Sequence, residues 1–392
     1  MQPDRENGKE DSVKETQEGC LSRSTRCLSK TKTALIAMSG GVDSSVAAYL
    51  MLAGGYDCLG VTMRLFRNPD IGRSSAHPCC SQEDIDDAAE VAFALDIPHI
   101  VPDLTAQFRQ QVMDRFVRRY QQGQTPNPCI DCNRYLKFGC LFQIAEERRK
   151  RIVVTGHYAR VEYDSAAGRY LLKKALDESK DQSYVLYMLT QAQLSRIRFP
   201  LGGMRKNEVR AIAEAQGFCN AAKHDSQDIC FVPDGDYGQF LQTYTGRPCK
   251  EGSLLDASGR VIGTHRGAER YTIGQRRGLA VAAGERVYVV AKDMEKNTVT
   301  LGPDAALYSR ALLAGDLNWI SIPSLNAPIR CRAKVRYRQP EQWATVFPEE
   351  EGRVRVVFDA PQRAITPGQA VVFYDGDTVI GGGTIGERKA SC

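Results

Sequence analysis

The sequence predicts an α/β fold in three parts: a parallel-sheet domain over residues 33–222, a small β-rich central domain over 223–305, and a C-terminal β-barrel over 306–392. A disordered tail, 1–32, precedes them. Three observations predict this. From Thr33 to about residue 200, apolar runs of strand length alternate with segments whose apolar residues recur at helical spacing, as in a sheet wound with helices. After Lys223 the pattern turns to short strands separated by Gly turns, as in small barrels. Finally, 392 residues with 42% hydrophobic content can bury two or three cores.

Residues 1–32 are polar and charged with almost no apolar periodicity, so they offer too little apolar surface to offset the entropy of ordering. Asp4, Glu6, Glu10 and Asp11 argue against a mitochondrial transit peptide. The first domain turns on Thr33–Leu50, TALIAMSGGVDSSVAAYL. Ala34–Met38 reads as a strand buried on both faces. Gly40 and Gly41 allow a sharp turn and keep side chains away from a ligand. Asp43, Ser44 and Ser45 then supply N-cap chemistry to the helix continuing through Val46. A strand, a glycine turn and a helix N-terminus make an anion site, and phosphate is the usual anion. The GxxxxGK[ST] lysine is absent and GxGxxG is not met.

Cys58–Phe66 reads as the second strand, with Met63 near its carboxyl end, where ligands sit in such sheets. Adjacent Cys79 and Cys80 suit structure better than chelation. A helix over Gln82–Leu95, a strand over Pro98–Leu104 and a helix over Gln107–Gln121 follow, the last with Phe108, Val112, Phe116 and Tyr120 on one side. Gly123–Asn133, GQTPNPCIDCN, reads as an ordered loop, because Pro126 and Pro128 remove backbone donors and bias their predecessors to extended conformations. Its Cys129 and Cys132 form a CxxC, which is a metal half-site, a redox pair or a cluster ligand pair. After a helix over Tyr135–Lys150 and a strand over Arg151–Thr155, His157 lies on the ligand side, as a satisfied structural residue or as a substrate contact. Tyr184–Leu194 is helix-like. Cys230 in HDSQDICFV is a third candidate thiol.

Ile329–Arg338 alternates strictly, placing Arg330, Arg332, Lys334, Arg336 and Arg338 on one face, either a solvated face neutralised by acids such as Glu349–Glu351 or a strip that tracks a phosphate backbone. Arg276 and Arg277 near Tyr271 add a basic site with a stacking aromatic. The net charge of +5 is modest, so a polyanionic partner rests on this placement. Thirteen cysteines without a signal peptide or a membrane-length apolar run point to a reducing cytoplasm and no membrane association.

Six motifs stand in one order: SGGVDSS, TPNPxxxCN, GHYAR, KDQSY, DSQDICF and YTIGQRRGL. The first resembles the pyrophosphate loop of the PP-loop ATP pyrophosphatases. Together they make the chain from Thr33 onward resemble the bacterial-type tRNA 2-thiouridylases, which place sulfur on C2 of the wobble uridine. The resemblance implies ATP, with Mg²⁺, on Ala37, Met38, Ser39, Gly40, Gly41, Val42, Asp43, Ser44, Met63 and Gly156. It implies target-base contacts from Asn127, Pro128 and Cys129, and tRNA contacts from His157, Lys180, Asp181, Gln182, Arg336, Tyr337 and Gln369. It also implies Cys132 as nucleophile, Cys230 as persulfide carrier, a disulfide between them in each turnover, and a sulfur-donating protein, a cysteine desulfurase or relay, as partner. The best-known members read NPDxxCN, with aspartate where this chain has Cys129. That departure opens a second route, a [4Fe-4S] cluster held by Cys129, Cys132 and Cys230. GMP, argininosuccinate and lysidine synthetases share the loop but give no reason for Cys132 with Cys230. A catalytically inert RNA-binding protein on the same fold would not need SGGVDSS intact.

Overall fold

A computed structural model of the chain describes residues 32–71, 80–225, 229–232, 234–279, 281 and 286–389. The expected tail, except Lys32, lies outside them, as do Cys79 and the Ser226–Asp228 part of DSQDICF. Strand β1 (Thr33–Ala37) pairs in parallel with β2 (Asp57–Val61) on one side and with β4 (Ile152–Val154) on the other. With β3 (His99–Ile100) and β7 (Ile197–Arg198) they form a five-stranded sheet in the order β3-β2-β1-β4-β7. The continuous apolar run of β1 reflects burial on both faces. Ala34 and Ile36 pack with Val46 and Ala47 of helix α1 (Val42–Ala53), while Leu35 packs with Leu59, Leu141 and Val153 on the opposite side. Each such fully buried aliphatic side chain contributes about 1.5–3 kcal/mol. The chain leaves β1 toward β2 and returns on the other side at β4, so a crevice opens beyond the carboxyl ends of these two strands.

Several elements are shorter than the sequence suggests. β2 stops at Val61, and Arg64 keeps only an isolated bridge to Asp103. β3 is reduced to two residues, since Pro102 cannot donate to a ladder. The expected helix over Tyr184–Leu194 is a 3₁₀ turn, Ser183–Val185, followed by a capped helix, Gln191–Arg196. Residues 184–189 are all buried, so this segment threads a core and has no amphipathic face.

The hairpin β5 (Arg160–Asp164) and β6 (Arg169–Lys173) leaves the first domain to join the C-terminal sheet through Thr378 opposite Lys173. In that sheet β12 (Tyr308–Trp319), β13 (Ile329–Lys334), β14 (Gln342–Pro348), β15 (Val354–Arg363), β16 (Ala370–Asp375) and β17 (Thr378–Lys389) run antiparallel in the order β12-β15-β14-β13-β16-β17. Pairing of β12 with β17 closes a six-stranded barrel. Its interior holds Leu312, Val346, Val356, Phe358, Val371 and Phe373. Between the two domains lies a four-stranded sheet, β10-β11-β8-β9, made of β8 (Gly252–Leu255), β9 (Val261–His265), β10 (Tyr288–Asp293) and β11 (Thr298–Gly302). The fold is thus the α/β parallel-sheet domain, β-rich middle and terminal barrel that the sequence predicts. Among the described residues no helix is long and apolar enough to cross a membrane.

Candidate active site

The turn after β1 is shaped by glycine. Gly40 has φ +72°, and a Cβ there would lie 2.2 Å from the backbone oxygen of Asp84. Gly41 is the N-cap of α1 and gives it no side-chain cap. Ser44 does not cap the helix, contrary to the sequence expectation. Its Oγ donates to Gly41 O (2.9 Å) and accepts from Ser39 N (3.1 Å), closing the turn on itself. The N-terminal amides of α1 therefore face the crevice without a side-chain acceptor, as an anion site requires. Asn220, which sequence reasoning missed, pins this turn: its buried Nδ2 donates to Gly40 O (3.0 Å) and Ser45 Oγ (2.9 Å). Gly156, just past β4, lies so close that a Cβ would fall 2.8 Å from Asp43 C and 2.9 Å from Ser44 N. Met38 is buried behind the turn, and Met63 is half-buried between two apolar clusters at the end of β2.

Asp43 is held by Lys206 Nζ, at 2.7 and 2.8 Å to its two oxygens, and by the Tyr158 hydroxyl at 2.8 Å. Tyr158 lies in the GHYAR motif, whereas Lys206 carries no local sequence signal. Burial, reinforced by the Asp43 charge, pushes the Tyr158 hydroxyl far above its ordinary range, so it stays a proton donor. Asp225 is partly buried, yet hydrogen bonds from Lys206 and Lys180 hold its carboxyl below the usual range.

The thiols sit on the adjoining segments. Asn127 Oδ1 accepts from Cys129 N (3.1 Å) and caps a helix that begins at Pro128. The sequence reading made this an ordered loop through Asn133. The helix starts earlier because proline fits the first helical position, where its missing N–H is no loss. The helix widens into a π-helix over Cys132–Cys140 and continues as Leu141–Glu147. Cys230 is fixed through its neighbour Phe231, whose ring lies 5.6 Å from Phe108, 5.3 Å from Phe116 and 5.1 Å from Phe240. Cys129 and Cys230 are exposed, Cys132 is half-buried, and all three are free thiols.

Crowding by protein raises all three thiols, Cys132 to about 11. Cys132 and Ile229 pack against the apolar cluster that holds Phe231, so Cys230 lies beside the CxxC segment, and the charges of Cys132 and Cys129 push it up further. Lys137, one turn along the π-helix, opposes the shift at each of them. It also adds to burial in lowering His157 well below the ordinary imidazole value. His157 directly follows Gly156, so the phosphate turn and the thiols meet at the end of β4. Among the described residues no three His, Cys, Asp or Glu side chains are grouped to hold a metal ion. As arranged, the three cysteines do not fit a cluster.

The proline-rich loop is gripped by both β domains. Thr125 N donates to Pro367 O (2.9 Å), Gln369 Nε2 donates to Thr125 O (2.7 Å), and Thr125 and Thr272 share a hydroxyl contact of 3.4 Å. Gly368, at φ +90°, backs against Gln124 and Thr125 with room for no Cβ.

The residues expected to touch tRNA are spread more widely. His157 is buried, with Nδ1 2.7 Å from Thr155 Oγ1 and its ring among Phe138 and Phe199. Lys180 pairs with Asp225. Asp181 accepts from Ser183 Oγ and from the amides of Ala175 and Ser183, while Gln182 accepts from Tyr158 N. Tyr337 is exposed and donates to Asp181 O (3.2 Å). The five-cation strip is broken, because β13 ends at Lys334 and the period of two ends with it. Arg336 turns inward, its Nη2 donating to Ile273 O, Ala364 O and Thr366 Oγ1. Arg330 pairs with Asp359, and Lys334 lies over Tyr184 and Tyr337. Arg332 and Arg338 remain exposed, as do Arg276 and Arg277.

The tRNA methyl transferase HUP domain model matches residues 32–234, the tRNA methyl transferase PRC-barrel domain model 238–303, and the aminomethyltransferase beta-barrel domain model 309–385. A tRNA-specific 2-thiouridylase MnmA of Heliobacterium modesticaldum is 51% identical over 90% of this chain and 92% of its own. The chain belongs to the tRNA-specific 2-thiouridylase family. Further 2-thiouridylases of this name, from Symbiobacterium thermophilum (50% identical, 90% of this chain, 92% of theirs) and Acetivibrio thermocellus (48%, 90% and 99%), are similar to the same extent. A 4-thiouridine synthetase in complex with RNA and ATP is a distant likeness, with 21% identity, 52% of this chain, 45% of that chain and a TM-score of 0.35.

Proposed function

We propose that the protein is an ATP-dependent tRNA sulfurtransferase that exchanges O2 of the wobble uridine for sulfur. The observation that carries this reading is the join at Gly156-His157. Gly156 packs on the phosphate turn, and the His157 ring lies 5.8 Å from Phe138, on the π-helix that begins at Cys132. A loop suited to pyrophosphate and a set of nucleophiles thus serve one cleft. Its first part, 33–222, is the catalytic domain, 223–305 is the central β-rich domain, and 306–392 is the barrel that contacts tRNA.

Uracil C2 is a poor electrophile whose oxygen does not leave as oxide. Attack of that oxygen on the α-phosphorus of ATP breaks the bond to the β-phosphate, releases pyrophosphate and makes AMP the leaving group. The α1 N-terminus, Ser39–Ser44, receives the phosphates. Asp43 would be the carboxylate to hold a Mg²⁺, which would offset the charge of the triphosphate, one carboxylate and the phosphate oxygens being a usual magnesium shell. Cys132, a neutral thiol at rest, gives up its proton and as the thiolate attacks the inner sulfur of a persulfide on Cys230, forming a Cys132–Cys230 disulfide and expelling hydrosulfide, which adds at C2 as AMP departs. A dithiol reductant then restores both thiols. The persulfide comes from a sulfur-donating protein. Asn127, Pro128 and Cys129 line the place of the target base, and Gln369 and Tyr337 lie on its rim. A reducing cytoplasm suits this chemistry.

Unmodified tRNA incubated with a persulfide donor should gain 2-thiouridine only with ATP, read by nucleoside mass spectrometry, and Cys132→Ser should abolish it. Thiolation without ATP would overturn the reading. The cluster route requires Cys129, Cys132 and Cys230 to close into a ligand set they do not form here. About four irons per chain in anaerobic protein, lost in Cys129→Asp, would favour it.

A further inference from the structure

The phosphate turn carries one negative charge of its own, Asp43, where an incoming triphosphate would be repelled. Lys206 offsets it. Its ammonium touches both Asp43 oxygens and, at 2.7 Å, Asp225 Oδ1, and its side chain is only 11% exposed. Lys206 opens the helix Lys206–Ala215, and its backbone N–H is fixed by Asp177 Oδ2 at 3.0 Å. The two carboxylates differ in their other partners. Asp225 also has Lys180 at 2.9 Å and Arg210 at 3.4 Å, whereas among the described residues the other side-chain partner of Asp43 is the neutral Tyr158 hydroxyl. Lys206 is therefore anchored on the side that does not depend on it.

We propose that Lys206 is a pyrophosphate-binding residue. It neutralises Asp43 while the turn is empty, and when a triphosphate enters it would keep Asp225 and turn its remaining donors to the β- and γ-phosphoryl oxygens. This deepens the ATP-dependent reading above and rests on it. A lysine suits the exchange: three rotatable donors on a flexible stem can keep Asp225 and change the other partner. As the α–β bond breaks, the electron pair leaves with pyrophosphate, and a preorganised ammonium at that point stabilises the charge as it develops.

The test uses the full chain without tRNA, so that it reads binding alone. Isothermal titration at fixed magnesium compares ATP with AMP, which lacks the phosphates in question, for the wild type and Lys206→Gln. ATP affinity should fall about tenfold, the loss of one charge-assisted hydrogen bond of about 1.4 kcal/mol, while AMP affinity stays within about twofold. Equal losses for both nucleotides would mean that Lys206 only shapes the turn, and an unchanged ATP affinity would remove it from the site; either overturns the proposal. A second measurement needs no variant. Mild acetylation of the wild type, read by peptide mass spectrometry, should show the reactivity of Lys206 altered by ATP with magnesium and not by AMP, and the same reactivity with both would also overturn it. A wild type that bound neither nucleotide would defeat the ATP reading itself, whereas wild-type binding with an indifferent variant defeats only the role of Lys206.

Discussion

Asn220→Ala tests how far the phosphate turn is preformed. Asn220 is 3% exposed and donates two hydrogen bonds, to Gly40 O at 3.0 Å and to Ser45 Oγ at 2.9 Å. Among the described residues its own Oδ1 is buried without a partner, so the residue is kept at a cost. Two buried neutral hydrogen bonds are worth about 1 kcal/mol each, giving about 2 kcal/mol for the pair. Ser45 Oγ keeps its bond to Gly41 O, so only Gly40 O is left unpaired in the variant. If the turn opens locally, that free energy is taken from ligand binding, and ATP affinity falls by about 30-fold with the thermal midpoint unchanged. If the turn does not open alone, the same free energy appears as lost stability. Isothermal titration with ATP and a thermal melt on the same preparation therefore share about 2 kcal/mol between them. Cys219→Ser, at an exposed neighbour, is the control. An Asn220→Ala protein with wild-type ATP affinity and wild-type melting would show that the turn does not depend on these bonds.

Gly156→Ala should impair ATP binding and spare tRNA binding, because its Cβ would meet the Asp43 and Ser44 backbone at 2.8–2.9 Å, an overpacking that costs about 1–3 kcal/mol; filter binding of tRNA alongside ATP titration checks it. Arg332→Ala should weaken tRNA binding and flatten its salt dependence. Arg336→Ala should instead lower the melting temperature, since its guanidinium serves three internal acceptors, and an unchanged melt would contradict that role. Cys132, raised to about 11 by burial with Lys137 opposing, is a neutral thiol at pH 7. Its alkylation by iodoacetamide should therefore climb about tenfold per pH unit from 7 toward 10, and Lys137→Ala should move the curve to higher pH. A plateau near pH 8 would refute this.

Much of this was legible in the sequence, for identifiable reasons. The doubly buried β1 reads as an unbroken apolar run, and the glycines of the turn stand where no Cβ fits. The thiols carry their own chemistry. What escaped is what contact between distant segments decides. Lys206 and Asn220 reach the turn from 163 and 180 residues away, with nothing local to mark them, and only the need for a counter-charge at Asp43 could have pointed to the lysine. Alternation grouped Arg336 with Arg332, but it is valid only within a strand, and the strand ended two residues earlier. Pro128 was read as a breaker, although proline is at home where a helix begins.

The grip of the barrel on the proline-rich loop sets an order of events during synthesis. Thr125 receives its hydrogen bond from Gln369, 244 residues later. At about 5–20 residues per second, that partner leaves the ribosome roughly 12–50 s after Thr125. Throughout that interval the phosphate turn and Cys132 have been translated while their loop still lacks its outer support. A chain that ends between Asn220 and Gln369 would carry the phosphate turn with both its distant supports while the segment bearing Cys132 still lacks its outer one.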